Sequence, residues 1–217
     1  MRRFVLALLA SAALATGAQA ASIELQIQQD AGPTTTFAFP GSVGSLPAPV
    51  STANYTVDTF TGATQGALTP PFVLQGNTIT ISSSGSTDPL HLTVLGLGIT
   101  GQAGLSALAS GFDVTGISAN WRITESTDIN GTTISTHTFN GPLSNGSDSE
   151  FAGFNLPAIY NASLHFDIFS NGVAGDVNAG IALAAAPVPG PIVGAGLPGL
   201  LSMLLGGGWL WRRKRQA

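Results

Sequence analysis

Apolar and polar residues alternate along several short stretches of this chain. From Ser22 to Gln28, Ile or Leu occupies every second position and polar residues occupy the others, a pattern typical of a strand with one buried face. Similar runs lie at 55–60, 78–81, 91–99, 112–124, 132–139 and 163–169, with Gly, Pro, Asn and Ser clusters between them. Only Gln102–Ser110 resembles a helix, and it predicts a connection of one or two turns. The pattern therefore predicts an all-β fold, an antiparallel β-sandwich or jelly roll.

The strand pattern also predicts turns and a core. Asn130 and Gly131 separate two strand-like runs and predict a hairpin, because both central residues of a type I′ turn need positive φ. Segments 32–49 and 62–71 are predicted loops. The predicted core consists of Ile23, Leu25, Ile27, Val57, Ile79, Ile81, Leu92, Val94, Phe112, Val114, Trp121, Ile123, Phe139, Leu164, Phe166 and Ile168.

The first twenty residues have the three parts of a secretory signal peptide. Arg2 and Arg3 precede an apolar run, and Ala18 and Ala20 form a small-x-small cleavage site. The run is short for a membrane span, so cleavage before Ala21 is favoured over an N-terminal anchor.

The other end of the chain predicts a membrane span. Residues 192–211 carry no charge and would reach roughly 30 Å as a helix, which matches the hydrocarbon core of a bilayer. A stop-transfer cluster that favours the cytoplasmic side follows it: Arg212, Arg213, Lys214 and Arg215. The predicted organisation is a signal peptide at 1–20, a β-sandwich domain at 21–183, an Ala- and Pro-rich linker with a sorting motif at 184–191, a transmembrane helix at 192–211 and a basic cytoplasmic tail at 212–217.

This tail resembles the PEP-CTERM sorting signal of Gram-negative bacteria. Residues 188–201 follow the family pattern V-P-x-P-I-V-G-A-G-L-P-G-L-L, before a Gly-rich span, tryptophans and arginines. The resemblance implies recognition by exosortase, an integral-membrane protease, and processing near Val188, Pro189, Gly190 and Pro191. Gly190 stands where the eponymous motif has Glu. The resemblance covers about residues 187–217 and implies an association with exopolysaccharide and biofilm, but nothing about the middle of the chain.

Charge is distributed unevenly along the chain. Six of the seven Lys and Arg residues lie in the two end segments, whereas all eleven Asp and Glu residues lie between them. The body therefore keeps only Arg122 and carries a net charge of −10, which disfavours nucleic acid and anionic polymers as partners. The chain has no Cys, so disulfides and thiolate chemistry are excluded.

Few residues suggest site chemistry. Two acidic stretches contain fragments of a calcium loop, with Asp128 and Asn130 in one and Asp148 and Glu150 in the other, but neither completes the motif, so a turn and a solvated acidic loop are the alternatives. His91, His137 and His165 are widely spaced and are expected to be exposed strand residues, with His165 pointing away from the core. The GLGITG sequence at 96–101 fits a dinucleotide motif, but no strand–helix alternation surrounds it.

These observations leave three hypotheses for function. The first is a non-enzymatic cell-surface or extracellular-matrix protein, exported across the inner membrane, held transiently by its tail and processed by exosortase. The alternative is a glycan-binding or calcium-dependent adhesive module, with Ca²⁺ as its only cofactor. The third is an extracytoplasmic hydrolase that uses carboxylates, although no catalytic motif is present.

Overall fold

The computed structural model describes residues 21–64, 72–100 and 104–187. Every regular element among them is a β-strand. The strands are β1 (Ser22–Gln29), β2 (Thr35–Phe39), β3 (Val43–Ser45), β4 (Val50–Ser51), β5 (Tyr55–Thr64), β6 (Phe72–Ser83), β7 (Leu90–Thr100), β8 (Gly104–Ile117), β9 (Arg122–Ile129), β10 (Thr132–Asn140), β11 (Leu143–Leu156), β12 (Ile159–Phe169) and β13 (Gly175–Pro187).

The strands form two sheets that pack face to face as a sandwich. The six-stranded sheet has the order β10-β9-β12-β7-β1-β2. The seven-stranded sheet has the order β11-β8-β13-β6-β5-β3, and β4 pairs with β5. The strand pairs whose register is described are antiparallel in both sheets. The predicted all-β sandwich is therefore confirmed for the described residues. The chain divides into two units, Met1–Ala186 and Pro187–Ala217, and all described residues except Pro187 belong to the first.

Alternating side chains from both sheets fill the space between them. In β1, for example, Ile23, Leu25 and Ile27 are buried and the residues between them are not. All of the predicted core residues are buried, because the side chains of a strand alternate between its two faces and the apolar ones mark the inner face.

The predicted hairpin at Asn130 and Gly131 is also confirmed. β9 ends at Ile129 and β10 begins at Thr132, so these two residues form the whole turn. Their φ angles are +49° and +79°, which is the left-handed conformation that Asn and Gly adopt at least cost.

Five local predictions are wrong in whole or in part. The helical turn predicted within 102–110 is instead the first half of β8, the predicted loop at 32–49 contains β2 and β3, and the acidic loop at 145–150 lies within β11. The run at 112–124 is divided between the end of β8 and the start of β9, and residues 62–64 of the predicted loop at 62–71 belong to β5. β8 and β11 pair with each other along nearly their whole length. Their backbone groups bond across the pair, and this tertiary pairing overrides weak local propensity.

The predicted end segments lie outside the described residues. This applies to Ala18 and Ala20 of the signal peptide, to the sorting motif at 188–191, to the span at 192–211 and to the basic tail at 212–217. Within the described ranges, the structure contains no helix with the length and hydropathy that a membrane crossing requires.

A buried hydroxyl joins several segments at one end of the sandwich. Ser170 Oγ donates to Ser86 O (2.9 Å) and accepts from Ser86 N (2.8 Å). The backbone N–H of Ser170 donates to Tyr55 Oη (3.2 Å), and this hydroxyl in turn donates to Asp88 O (2.9 Å). Ser170 therefore links the ends of β12 and β5 to the β6–β7 connection.

Replacing Ser170 with Ala is expected to lower the free energy of unfolding by about 1–3 kcal/mol, because it leaves the buried backbone N–H of Ser86 without its acceptor. The carbonyl of Ser86 keeps the hydrogen bond that Gly172 N donates (2.8 Å). Urea unfolding followed by circular dichroism measures the change. Ser149→Ala on the exposed side of β11 is the control, with an expected change within about 0.5 kcal/mol. Equal effects of the two substitutions would contradict the role assigned to Ser170.

Candidate functional site

A group of ionisable side chains lies where the two sheets meet along one edge of the sandwich. β10 and β11 are the outer strands of opposite sheets, and they lie against each other. His137 Nδ1 of β10 is 2.6 Å from Asp148 Oδ2 of β11. The backbone N–H of Thr136 donates to Glu150 Oε2 (3.3 Å). One donor atom from each of His137, Asp148 and Glu150 lies within 4.8 Å of the others, and we call these three residues the edge cluster.

Aromatic rings hold the imidazole of the edge cluster in place. The His137 ring is stacked on Phe112, with centroids 6.1 Å apart, and makes a tilted contact with Phe139 at 4.4 Å. Phe112 and Phe139 belong to the core, so the orientation of His137 is set by the packing of both sheets. Its side chain is only 29% exposed.

Glu125 lies on the inner face of β9, directly beside His137 in the strand register. The residue is 0% exposed, and neither carboxylate oxygen has a hydrogen-bond partner. Burial and, to a smaller extent, the negative charge of Asp113 raise the pKa of Glu125 to about 9. Burial also raises the pKa of Asp113. A protonated, unpartnered carboxyl group therefore lies next to the edge cluster near neutral pH.

The interior beside Glu125 is also polar. Ser110 Oγ is 2.7 Å from Thr127 Oγ1, which is 2.5 Å from Ser135 Oγ. All three residues are buried. Because they come from β8, β9 and β10, these hydroxyls connect the two sheets with hydrogen bonds inside the core.

The outer face of the six-stranded sheet carries a second polar region. Strand register places polar residues of β7, β9 and β12 side by side on this face. We call this region the polar face; it consists of His91, Thr93, Thr124, Ser126, Asp128, Ser163, His165 and Asp167.

Hydrogen bonds connect most of the polar face. His165 Nδ1 is 3.1 Å from Thr93 Oγ1, and its Nε2 is 3.1 Å from Ser163 Oγ and 3.2 Å from Asp128 Oδ2. His91 Nδ1 is 2.5 Å from Asp167 Oδ1. Asp128 Oδ1 is buried without a hydrogen-bond partner. Both histidines are thus oriented by neighbours on adjacent strands, and Ser163 is bonded to His165 on its own strand.

Two open pockets lie at the end of the sandwich where β4 meets β5. One has a volume of about 460 Å³ and is lined mainly by polar residues and backbone, including Asp30 and Asp88. The other, of about 450 Å³, is bordered by the 51–56 and 82–84 segments. The edge cluster and the polar face contribute no residue to either pocket.

The structure separates the four calcium candidates into different places. Asp148 and Glu150 lie together in the edge cluster. Asp128 faces His165, whereas Asn130 is in the hairpin turn, where its Oδ1 accepts a hydrogen bond from Asn161 N (2.9 Å). The suggested ligands therefore do not form one loop site.

The structure also shows where the glycine motif and the three histidines lie. The glycines at 96 and 98 lie inside β7, and the next described element is strand β8, so no helix follows them within the described residues. His165 lies on the outer face, as predicted. The expectation that His137 is an exposed strand residue is wrong, because its ring packs against Phe112 and Phe139 between the sheets. All three histidines are bonded to an Asp from another strand, which sequence spacing did not indicate.

Glu125 was not predicted as a site residue. The alternation of β9 does carry a signal, because a strand that buries Ile123 and Ile129 also points residues 125 and 127 inward. A charged residue at an inward position is uncommon and marks a place to look for function.

No protein-family model and no curated protein matches this chain. Among solved structures, it is similar to TmCBM61 in complex with β-1,4-galactotriose, at 10% identity and a TM-score of 0.32, over 76% of this chain and 88% of that one. It is also similar to the family 11 carbohydrate-binding module from Clostridium thermocellum, at 12% identity and a TM-score of 0.31, over 74% and 95%.

A third similar structure is the enzymatically active domain of bacteriophage CBA120 tailspike protein 4, at 13% identity and a TM-score of 0.34, over 66% of this chain. The chain spans only 19% of the length of that structure. Likenesses of this size assign neither a ligand nor an activity.

Proposed function

We propose that this chain is an exported, non-catalytic surface protein whose β-sandwich binds a neutral polysaccharide on its polar face. The observation that carries the proposal is the arrangement of hydroxyl, imidazole and carboxylate groups on three neighbouring strands, oriented by hydrogen bonds between their side chains.

The chemistry of the polar face suits a ligand with many hydroxyl groups. Thr and Ser hydroxyls both donate and accept, carboxylates accept, and imidazole nitrogens do either according to tautomer. A sugar chain offers the matching donors and acceptors at repeated positions. Because the side chains are already oriented, binding costs less conformational entropy than ordering them would.

Charge narrows the class of polysaccharide. Arg122 is the only Lys or Arg between the end segments, and its guanidinium lies over the Phe169 ring at 4.2 Å from the centroid. A body with a net charge of −10 repels polymers that carry carboxylate or sulfate groups. The proposed ligand is therefore neutral.

Replacing both His91 and Asp167 with Ala is expected to weaken binding at least about tenfold, the equivalent of about 1.4 kcal/mol, because a bonded pair on the polar face is lost. Affinity electrophoresis of the full-length chain in gels that contain neutral β-glucan or galactan measures retention. Alginate is the anionic comparison, and no retention is expected there.

The matched control is the double substitution of Thr80 and Asn178 with Ala. These residues form a hydrogen bond of 2.6 Å on the outside of the seven-stranded sheet. The substitutions therefore remove a comparable polar pair from a face that is not proposed to bind the polysaccharide. Equal weakening by both double variants, or no retention by any neutral polymer, would contradict the assignment of the polar face.

The delivery part of this proposal rests on the sequence. The signal peptide and the PEP-CTERM-like tail support export, transient anchoring with the body outside, and exosortase processing near Val188–Pro191. Mass spectrometry of the mature protein tests this part separately from binding. A chain that ends near the proline motif is expected, and an intact C terminus at Ala217 in a strain with active exosortase would contradict processing.

A further inference from the structure

We propose that the edge cluster is a binding site for a first-row transition-metal dication of the zinc class. His137, Asp148 and Glu150 supply one imidazole nitrogen and two carboxylate oxygens. The site is independent of the polar face, which lies on the outside of the six-stranded sheet.

The geometry of the edge cluster suits such an ion. Its three donor atoms lie within 4.8 Å of one another. Ligands in a tetrahedral site with bonds of about 2.0–2.1 Å are roughly 3.3 Å apart. His137 and Asp148, now 2.6 Å apart, need to separate by less than 1 Å to admit the ion. The third donor, Glu150, lies within 4.8 Å of the other two and needs to approach by at most about 1.5 Å.

Glu125 is an independent observation that points to a cation. Its carboxyl group is fully buried, has no hydrogen-bond partner, and projects from the inner face at the register position beside His137. A buried polar group without a partner is costly and calls for an explanation. An ion at the edge cluster supplies one, because it places positive charge next to this carboxyl.

The ligand set favours the zinc class over calcium. Calcium takes six to eight oxygen ligands, often from a loop that wraps around the ion. Here the ligands include an imidazole and number three. They come from β10 and β11, and the backbone of each of these strands is already hydrogen-bonded to a neighbour in its own sheet. Imidazole with carboxylate is a usual set for zinc, and three protein ligands leave a position for water.

The packing around His137 provides rigidity. Phe112 and Phe139 hold the imidazole ring from two sides. Glu150 accepts a hydrogen bond from the backbone of Thr136, next to His137 in sequence, which directs its carboxylate toward the cluster. Such support limits the entropy that binding costs.

Isothermal titration of the untagged full-length chain with ZnCl₂, CaCl₂ and MgCl₂ tests the proposal. One equivalent of Zn²⁺ is expected to bind, more tightly than Ca²⁺ or Mg²⁺. His137→Gln and Glu150→Gln are each expected to weaken Zn²⁺ binding at least about 100-fold. Glu125→Gln, next to the ligands, is expected to weaken it about 10- to 100-fold.

The chain contains its own matched controls. His91→Gln and His165→Gln each remove a histidine that is paired with an Asp, as His137 is, but that is not part of a three-ligand cluster in the described residues. Both controls are expected to bind Zn²⁺ like the unmodified chain. Circular dichroism checks that each variant is folded. If His137→Gln does not fold, Glu150→Gln still tests the proposal.

Three results would overturn the proposal. The first is unchanged Zn²⁺ affinity in folded Glu150→Gln. The second is an equal loss of affinity in His165→Gln, which would place the ion on the polar face. The third is tighter binding of Ca²⁺ than of Zn²⁺, which would favour the acidic oxygens alone.

Discussion

Replacing Glu125 with Gln is expected to raise the free energy of unfolding by about 3 kcal/mol at pH 7. The pKa of Glu125 is about 9 in the folded protein, against 4.5 for an ordinary Glu. At pH 7 the folded state retains a proton that the unfolded state has released, and this difference favours unfolding by about 1.4 kcal/mol per pH unit above 4.5.

The sign of this effect gives a characteristic pH profile. The ionisation of Glu125 contributes nothing to the free energy of unfolding below its unfolded pKa of 4.5, where both states are protonated. Its cost grows as the pH rises from about 4.5 to 9, and it is constant above the folded pKa of about 9, where both states are ionised. Gln has nearly the same shape and does not titrate, so the gain in stability should be absent near pH 4.5.

Urea unfolding at several pH values between 4.5 and 9, in the presence of EDTA to remove metal ions, measures the profile. Glu24→Gln is the control, because Glu24 lies on the outer side of β1 and bonds to Gln26 (2.6 Å). Its expected effect is within about 0.5 kcal/mol at all pH values. A Glu125→Gln variant that is no more stable at pH 7 than at pH 4.5, relative to the unmodified chain, would show that the buried carboxyl is not protonated.

Replacing Trp121 with Ala is expected to lower the free energy of unfolding by about 3–5 kcal/mol. Trp121 is 1% exposed, and its indole Nε1 donates to Val173 O at 2.8 Å. Its carbonyl also accepts from Gly141 N (2.8 Å), which connects the start of β9 to the end of β10. Removing the ring leaves a large cavity and an unpaired carbonyl at Val173.

Trp121→Phe separates the effect of the cavity from the effect of the lost hydrogen bond to Val173 O. The smaller ring fills much of the cavity but cannot donate to Val173 O, so a loss clearly smaller than that of the Ala variant is expected. Thermal and urea unfolding followed by far-ultraviolet circular dichroism measure both. A loss below about 1 kcal/mol for Trp121→Ala would mean that the space collapses on mutation and that the ring is not a principal part of the core.

The candidate site was harder to predict than the core because its parts come from distant segments. His137 and Asp148 are eleven positions apart in sequence and lie on strands of different sheets. Acidic residues of β11 alternate with Gly, Ser and Asn, so the apolar signal that reveals other strands is missing there. The sequence indicated Asp148 and Glu150 as possible ligands but grouped them as a loop, and it did not indicate their histidine partner.

Features that depend only on residues close together in the sequence, such as strands and turns, can be predicted from the sequence. The alternation in β1 and the other strands identified the all-β class and the buried residues, because a strand places every second side chain on the same face. Asn130 and Gly131 identified a turn because few residues tolerate positive φ. The predictions of export and sorting likewise rest only on the position and composition of the two end segments.

The edge cluster and the polar face were decided only by the tertiary structure. Each depends on which strand lies beside which, on the register between them and on how the two sheets close along β10 and β11. Those choices come from the summed packing of the whole core, since no short segment contains the energy that selects one register over another. The sequence by itself therefore determined the class of fold and its buried residues, whereas the long-range packing of the sheets determined which polar residues meet.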